Sequence, residues 1–545
     1  MAILNRADSA RLFMGAGGPS GSAAPDRSVV EPGGPATEAP AEMTLRQAYD
    51  KLVAVSMDAT KLGSALGLVA WDESTLMPPH GADYHAKVQA YLADQANQLL
   101  TSPEFGQWLS AAEKGQDWSQ VEAINLRLWR HDYDKRTKLP PGFVAREAEM
   151  ASQSQTAWTK ARAENNFAIF RPYLEAMVDL ARQKARYYGY EVHPLDALMD
   201  DLMPGMTVAQ CDRLLGAVTP AIVELVRKIK DSKTVIPDNL FGQAVFPKEK
   251  QEALAREMTA AIGLDYQGAL YMETPRHPMT TTINPGDVRI TTRYKENNPL
   301  EPALLAALHE AGHAIYSQGI PAEYYGLPVE QDAGMDIQEA SSRYFENYIG
   351  RSKPFWQYWF PRFQEVFGPT AATISLDDLY RFMNRFNLSV IRLEADEVSY
   401  VLHIIIRYEI ERDLFGDKIK TEDLPAVWNQ KYKDYLGLDV PDDRSGILQD
   451  IHWAGGAFGY FPSYAFGSMN AAQLDAALHR DHPDLDQRLA SGDFAVPIAW
   501  MREHIYKYGR LYPVTELIKL AAGEEQDPSY FIRYLTVKYG EIYQL

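Results

Sequence analysis

The sequence has a single cysteine and fewer basic than acidic residues, and each of these shortages excludes some classes of protein. Cys211 is the single cysteine among 545 residues, so an internal disulfide is impossible and a secreted, disulfide-stapled scaffold is excluded. Lys and Arg number 54 against 73 Asp and Glu, a net charge of −19. Such a chain lacks the basic surface that binds a nucleic-acid backbone or an anionic membrane. We therefore expect a cytoplasmic protein, with neither nucleic acid nor a membrane as partner.

Long apolar runs and alternating strand patterns are equally scarce. No run approaches the roughly 18 to 20 residues of a membrane helix, since the best one, Val401 to Ile406, already contains His403. Instead, apolar residues recur at three- and four-residue spacing, which predicts helices. The clearest windows are residues 84–100, 118–135 and 393–414. Val288 to Thr292 has the β-branched content of one short strand. The pattern predicts a mainly α protein, and two lobes flanking a cleft would reconcile its length with the absence of a linker.

Residues 1–42 differ in composition from the rest of the chain. Glycine, proline and alanine crowd this stretch, which cannot bury enough apolar surface to offset the entropy of ordering it. We predict a flexible tail followed by a single domain of residues 43–545. Within residues 1–15, Arg6 and Arg11 beside apolar residues are compatible with a weak organelle-targeting segment, although Asp8 counts against it.

A potential metal site lies in Leu308-His309-Glu310-Ala311-Gly312-His313. Upstream, Asn298 can cap a helix and Pro299 can begin it. On one helix, His309 and His313 are a turn apart and can hold one zinc ion with their imidazoles. Glu310, beside the first ligand, can reach a water molecule at the ion. This HExxH pattern predicts a zinc hydrolase, and two histidines on the surface of an amphipathic helix are the alternative.

A hydrolytic zinc site needs a third protein ligand and one open position. Glu339 follows His313 with 25 residues between them, on a second helical segment that begins at Asp336. The intervening glycines and prolines allow a loop and a return helix. Glu346 and Glu323 are alternative carboxylates, so spacing alone favours Glu339 without selecting it.

Five segments in fixed order resemble the signatures of the carboxypeptidase Taq family of zinc metallocarboxypeptidases, which are gluzincins. They are His277-Pro278, residues 287–291, residues 309–313, residues 391–396 and residues 446–453. Flanking similarity extends from about residue 45 to the C-terminus. The resemblance implies a large two-lobed helical fold with a deep central cleft, a small β element beside the active-site helix, and a homodimer. It also implies peptide substrates with a free C-terminal carboxylate.

In the mechanism implied by the resemblance, His309, His313 and Glu339 hold one zinc ion per chain, which Co²⁺ or another divalent metal could replace. Glu310 is then the general base that activates water. Recognition of a carboxylate calls for an arginine, and the resemblance favours Arg392, at the predicted start of a helix, over Arg289, which would close the far end of the cleft. Arg289 beside Asp287 and Arg392 beside Asp396 could equally be structural ion pairs.

The developing oxyanion of a tetrahedral intermediate needs hydrogen-bond donors. Tyr464 and His452 are the candidates, with Tyr460 behind them, and the glycine-rich stretch 453–463 is predicted to be a mobile loop. His277 is expected to contact the substrate or the cleft wall. Packing and a proline-fixed turn are the structural alternatives for the tyrosines and for His277, respectively.

Departures from the family pattern cluster around the third ligand. Gln338, Ala340 and Ser341 replace the usual residues beside Glu339, which could alter metal affinity. Two other functions compete with a metallocarboxypeptidase. One is an oligopeptidase or dipeptidyl carboxypeptidase of the same clan, and the other is a catalytically silent peptide-binding homologue.

Overall fold

The computed structural model describes residues 43–273 and 279–545. The predicted tail of residues 1–42, its targeting segment and His277 therefore lie outside the described residues. The described part is mainly α-helical, as the sequence predicts. Its helices are α1 (Leu45–Thr75), α2 (Ala82–Leu100), α3 (Pro103–Ala112), α4 (Gln120–Lys138), α5 (Phe143–Glu164), α6 (Phe167–Tyr188), α7 (Pro194–Met199), α8 (Val208–Asp231), α9 (Lys248–Ala261), α10 (Leu305–Gly319), α11 (Met335–Arg343), α12 (Lys353–Phe367), α13 (Leu376–Met383), α14 (Tyr400–Phe415), α15 (Leu424–Leu436), α16 (Pro462–Asp481), α17 (Leu485–Ala490), α18 (Ala495–His504), α19 (Val514–Ala522) and α20 (Ser529–Tyr543).

The small β element is a three-stranded sheet in the order β1–β3–β2, made of β1 (Leu270–Glu273), β2 (Thr280–Asn284) and β3 (Asp287–Thr291). β3 pairs parallel with β1 and antiparallel with β2. β3 is the strand that the sequence predicts. The other two were not predicted, because four or five residues such as Thr-Thr-Thr-Ile-Asn do not alternate clearly enough. The sheet packs against α10, so it lies beside the helix that carries the two histidines.

The core of the described residues divides into one large and two small clusters. One small cluster joins α1, α3 and α4 around Leu52, Phe105 and Trp129, and it forms the core of the small lobe of the two-lobed fold. The other consists of Leu128, Val329 and Leu511. The large cluster extends from α5 to α20 and includes α10, α11, α14 and α16. Cys211 is buried in the large cluster as a free thiol.

Two predicted helix starts differ from the structure. The helix with the histidines begins at Leu305 rather than after Asn298, although Asn298 does accept hydrogen bonds from the amides of Leu300 and Glu301. Glu301 has extended backbone angles (φ −124°, ψ 125°), and Pro302, which follows, has no amide to donate. The first helix turn therefore cannot run unbroken into α10.

Arg392 does not start a helix, contrary to expectation. Residues Arg392–Glu394 form a 3₁₀ turn, and α14 begins only at Tyr400. The cause is Asp396, whose Oδ1 accepts from the amides of Val398 at 2.8 Å and Ser399 at 3.0 Å. This local turn competes with helical hydrogen bonding and delays the helix.

α1 is long and apolar enough to cross a membrane by length and composition alone, with 28% of its apolar window buried. The sequence analysis did not single out this segment. In the structure it belongs to the fold, because Ser56 donates to the carbonyl of Gly326 and Ser64 donates to that of Ile283 in β2. α1 thereby joins the small lobe to the sheet.

Glycine lets three helices approach closely where the histidines lie. A Cβ added to Gly312 of α10 would stand 2.6 Å from Cα of Ser342, and one added to Gly467 of α16 would stand 2.3 Å from Cβ of Glu339. Real Cβ atoms do not come this close to another heavy atom, so a side chain at either position would push α11 away.

Replacing Gly467 by alanine should therefore lower both stability and metal affinity. We expect a loss of about 1–3 kcal/mol, the usual cost of overpacking a tight contact, together with weaker metal binding because Glu339 moves. Thermal unfolding and metal titration measure the two effects. The matched control is Gly216→Ala in α8, where a Cβ meets nothing within 4 Å, and which should gain roughly 1 kcal/mol of helix propensity. A Gly467→Ala variant as stable as the wild type would contradict this account.

Candidate metal centre and active site

His309 and His313 of α10 and Glu339 of α11 form one cluster of possible metal ligands. Their ligand atoms lie within 4.8 Å of one another, and the side chains are at most 1% exposed. The Nε2 atoms of both histidines and Oε1 of Glu339 are buried without a hydrogen-bond partner among the described residues. Buried polar atoms are nearly always paired. Three unpaired atoms that face one point therefore fit a metal ion.

The other ring nitrogen of each histidine is held by a neighbour. Nδ1 of His309 lies 2.7 Å from Oε2 of Glu346, and Nδ1 of His313 lies 3.0 Å from Oε1 of Gln338. With the proton on Nδ1, each Nε2 presents its lone pair to the cluster. Burial lowers the pKa of both rings, that of His313 to about 4. Both imidazoles are thus neutral near pH 7, the form that binds metals.

Glu346 and Glu323, the two alternatives to Glu339, lie outside the cluster of possible ligands. Glu346 is not a member of the ligand cluster and instead binds His309, Arg343 at 3.0 Å and Arg351 at 3.7 Å. Burial would raise the pKa of Glu346, but Arg343, His309 and Arg351 outweigh it and hold the pKa below its usual range. Glu323 is exposed in a short 3₁₀ turn. The geometry therefore favours Glu339 as the third ligand.

Glu310 lies beside the cluster and is 1% exposed. Its Oε2 accepts a hydrogen bond of 2.6 Å from the hydroxyl of Thr280 in β2, while Oε1 is buried without a partner in the described structure. Burial raises the pKa of Glu310 to about 8. The sheet thus fixes one carboxylate oxygen and leaves the other for a reacting group. Thr280 is a site residue that the sequence analysis missed, because nothing in a threonine-rich segment marks one member.

Arg392 is buried in a network of charges rather than presented alone. Its Nε and Nη2 donate to Oδ1 of Asp450 at 3.0 and 2.8 Å, and Nη1 donates to the hydroxyl of Tyr400 at 3.1 Å. Oδ2 of Asp450 accepts from Nε of Arg407 at 2.7 Å. Burial would raise the pKa of Asp450, but Arg392 and Arg407 outweigh it and hold the pKa below its usual range. The ionised partner of Arg392 is therefore Asp450 and not the neighbouring Asp396 that the sequence suggested.

Arg289 is in a different place. It forms a double hydrogen bond with Asp287, both contacts at 2.9 Å, and its guanidinium lies 5.8 Å from the ring centre of Trp71 in α1. Arg289 pairs with Thr281 across the sheet, next to Thr280. It therefore lies between the sheet and the small lobe, apart from the group around Arg392.

His452, Tyr460 and Tyr464 form a chain of contacting rings. The ring centres of His452 and Tyr460 are 5.5 Å apart, and those of Tyr460 and Tyr464 are 5.3 Å apart. The guanidinium of Arg392 lies 5.6 Å from the ring centre of Tyr464. Burial lowers the pKa of His452 to about 3 and raises that of Tyr464 well above its usual value. Near pH 7, His452 is therefore neutral and Tyr464 keeps its proton.

The stretch predicted as a mobile loop is fastened at two points. Glu411 of α14 accepts hydrogen bonds from the indole of Trp453 at 2.6 Å and the amide of Gly459 at 2.9 Å. Gly456 and Gly459 both have φ of 80°, which explains why glycines occupy these turns. One buried carboxylate thus ties down the segment between His452 and Tyr460.

A cavity of about 180 Å³ separates the small lobe from α10 and the sheet. Ser56 and Gly63 of α1 and Asp132 of α4 line one side, while Thr282 and Gln338 line the other. Since Gln338 binds His313, the cavity reaches the surroundings of the metal centre.

Comparison with known proteins identifies the family. The sequence pattern of the carboxypeptidase Taq (M32) metallopeptidases matches residues 51–539. The chain belongs to the M32 family. Carboxypeptidase 1 of Bacillus subtilis is 40% identical over 482 residues, covering 88% of this chain and 96% of that one. Thermostable carboxypeptidase 1 of Thermus thermophilus is 35% identical, covering 92% and 100%. The crystal structure of the M32 carboxypeptidase from Deinococcus radiodurans R1 superposes with a TM-score of 0.89 at 34% identity, covering 91% and 100%.

Membership in M32 makes this protein a metallocarboxypeptidase, a helical enzyme that acts on peptides with a divalent metal. The buried cluster of His309, His313 and Glu339 supplies a place for that metal.

Two of the residues that depart from the M32 pattern beside Glu339 have a structural role in this chain. Gln338 holds His313, and Ser341 donates to the carbonyl of Gly312 at 2.7 Å and also contacts the hydroxyl of Tyr506 at 2.7 Å. Ala340 is fully buried. The sequence marked Gln338 and Ser341 as unusual, and the structure shows that both contact α10, the helix that carries His309 and His313.

Gln338→Met should weaken metal binding, because it keeps the side-chain length but removes the acceptor that orients His313. Loss of such a partner typically costs 10- to 100-fold in metal affinity. Competition with a chromogenic chelator at fixed pH measures the zinc dissociation constant without an activity assay. The control is Gln318→Met in α10, the helix of His313, because the amide of Gln318 contacts only the carbonyl of Ala269, at 3.3 Å, among the described residues. Unchanged zinc affinity of Gln338→Met would contradict the orienting role.

Proposed function

We propose that this enzyme is a zinc carboxypeptidase that removes residues one at a time from the free C-terminus of peptides. The observation that carries the proposal is the set of three buried possible ligand atoms beside the buried Glu310, none of which has a hydrogen-bond partner in residues 43–273 and 279–545. Two imidazoles and one carboxylate are a ligand set of catalytic zinc sites. Co²⁺, which accepts similar ligands, could substitute.

When bound by His309, His313 and Glu339, zinc would acidify a water molecule and polarise the scissile carbonyl. Beside the positive charge of that ion, Glu310 would be ionised despite its burial. It would then take the proton of the attacking water on its Oε1 and deliver it to the leaving amine. Thr280 keeps the other oxygen of Glu310 in place. The proposed mechanism requires neutral histidines and a base that is held in position.

Arg392 is the proposed anchor for the substrate's C-terminal carboxylate, since Asp450 neutralises only part of the charge of Arg392 and Arg407. Arg289 would close the far end of the cleft between the sheet and the small lobe. Tyr464 would donate its retained proton to the developing oxyanion, with His452 as the second group. Tyr460 and His277 complete the proposed substrate contacts.

The proposal includes a cytoplasmic location and a homodimer. The single buried thiol supports the cytoplasmic location, because proteins of a reducing compartment do not depend on disulfides. The family resemblance supports the homodimer.

A set of synthetic peptides with free, amidated and N-blocked termini tests the function. Zinc-loaded enzyme should release single C-terminal amino acids from free-acid peptides, spare the amides and lose activity with a chelator. Mass spectrometry of the products separates this result from the dipeptides or internal fragments of related peptidases. Equal cleavage of acid and amide forms would refute a carboxypeptidase, and no cleavage at full zinc content would support a silent homologue.

Glu310→Gln should give a folded, metal-loaded and nearly inactive enzyme. General acid–base catalysis typically contributes about 10²- to 10⁴-fold, and glutamine keeps the acceptor for Thr280 but cannot take a proton. Turnover is measured beside metal content and thermal stability, with the exposed Glu323→Gln as the matched control. Normal turnover by Glu310→Gln would exclude Glu310 as the base.

A further inference from the structure

Tyr400, the first residue of α14, lies between two buried arginines. Its hydroxyl accepts the hydrogen bond from Nη1 of Arg392, and its ring centre lies 4.6 Å from the guanidinium carbon of Arg343. Arg392 is 3% and Arg343 9% exposed, whereas Tyr400 is partly exposed. Tyr400 is therefore the member of this group that faces the solvent side.

The donors of Arg392 are only partly used. A guanidinium has five N–H groups, and within the part of the chain that the structure describes, the contacts with Asp450 and Tyr400 use three of them. The two that remain match the two oxygens of one carboxylate. Two arginines also share the single carboxylate of Asp450, so the group carries an excess positive charge that favours a bound anion.

The hydroxyl of Tyr400 still has its own proton to give. A phenol that accepts one hydrogen bond keeps its O–H as a donor. In the described ranges, the hydroxyl has the contact with Arg392 and no acceptor for its own proton. Since Nη1 and this oxygen are 3.1 Å apart, an anion at Arg392 is within reach of the hydroxyl too.

The ring of Tyr400 faces the metal centre. It covers Arg343, whose Nε lies 3.7 Å from Oε2 of Glu339 and whose Nη1 lies 3.0 Å from Oε2 of Glu346. The aromatic face and the hydroxyl therefore contact separate parts of the site. Removing the hydroxyl alone leaves the contact with Arg343 in place.

We propose that Tyr400 is a substrate-binding residue that donates its hydroxyl to the C-terminal carboxylate held by Arg392. This inference rests on the proposed role of Arg392 as the carboxylate anchor. The carboxylate would then receive two donors from Arg392 and one from Tyr400. An amidated C-terminus, which lacks the negative charge, would gain little from the same groups.

Tyr400→Phe tests the inference in a background that binds peptide without cleaving it. Zinc-loaded Glu310→Gln protein, with and without Tyr400→Phe, is titrated calorimetrically with one peptide in free-acid and amide forms. A hydrogen bond to a charged group is worth roughly tenfold or more in affinity. We expect a loss of about tenfold for the acid, no change for the amide and unchanged zinc affinity.

Steady-state kinetics distinguish the loss of this one contact from a general structural defect. In otherwise wild-type enzyme, Tyr400→Phe should raise KM for free-acid peptides by a similar factor and leave kcat nearly unchanged, since the lost contact is present before and during the reaction. Tyr408→Phe is the control, because it makes the same chemical change two turns along α14. The hydroxyl of Tyr408 donates instead to Asp212 at 2.8 Å and to the carbonyl of Val208 at 3.1 Å.

Equal acid affinity with and without Tyr400→Phe, in a parent that prefers the acid, would overturn the role of Tyr400 and leave the carboxypeptidase proposal standing. A parent that binds acid and amide equally would overturn the anchor at Arg392 and the inference with it. An equal loss for both peptide forms would also overturn the inference, since it would show a general change of the cleft.

Discussion

The site depends on the close contact of α10, α11 and α16. Gly312 and Gly467 remove side chains where the backbones of these helices meet, and Glu339 consequently lies opposite His309 and His313. A ligand set drawn from two helices has the right separation only if the helices are held at that distance. The same contact also brings α16, and with it Tyr464, next to α11, the helix that carries the possible ligand Glu339.

Acidic and basic side chains alternate around the cluster of His309, His313 and Glu339 and around Asp450. Arg343 lies between Glu339 and Glu346, Arg351 lies beyond Glu346, and Asp450 lies between Arg392 and Arg407. Burying ions is costly unless each has partners, and every member of these two series has one. At Asp450 two arginines share one carboxylate, so this group has an excess of one positive charge in a protein of net charge −19. Exposed acidic groups are screened within roughly 8–10 Å in physiological salt, so the acidic surface does not cancel the attraction of the buried arginines for a carboxylate.

Local patterns in the sequence predict the helices and strand β3, whereas contacts between residues distant in the sequence determine the arrangement of the site. The HExxH spacing placed two histidines on one helix face, because that relation lies within four residues. Spacing alone left the third ligand open among three glutamates, and only the family resemblance pointed to Glu339, since no local pattern shows that Glu346 turns toward Nδ1 of His309. Thr280, Tyr400 and Glu411 were missed for the same reason, as each acts through a partner at least eight residues away. The start of α14 was predicted too early because the turn at Asp396 interrupts a continuous apolar pattern.

The composition of α1 also has an explanation in the position of this helix. Part of its apolar surface faces the cavity rather than a packed core, with Ser56, Gly63 and Leu66 along the wall. An apolar helix surface that lines a cavity adds to the membrane-like composition of α1 without being packed in the core. This agrees with the low buried share of its apolar window. The contact of α1 with Ile283 nevertheless fixes this helix to the sheet that also holds Glu310, so the wall of the cavity and the proposed base share one support.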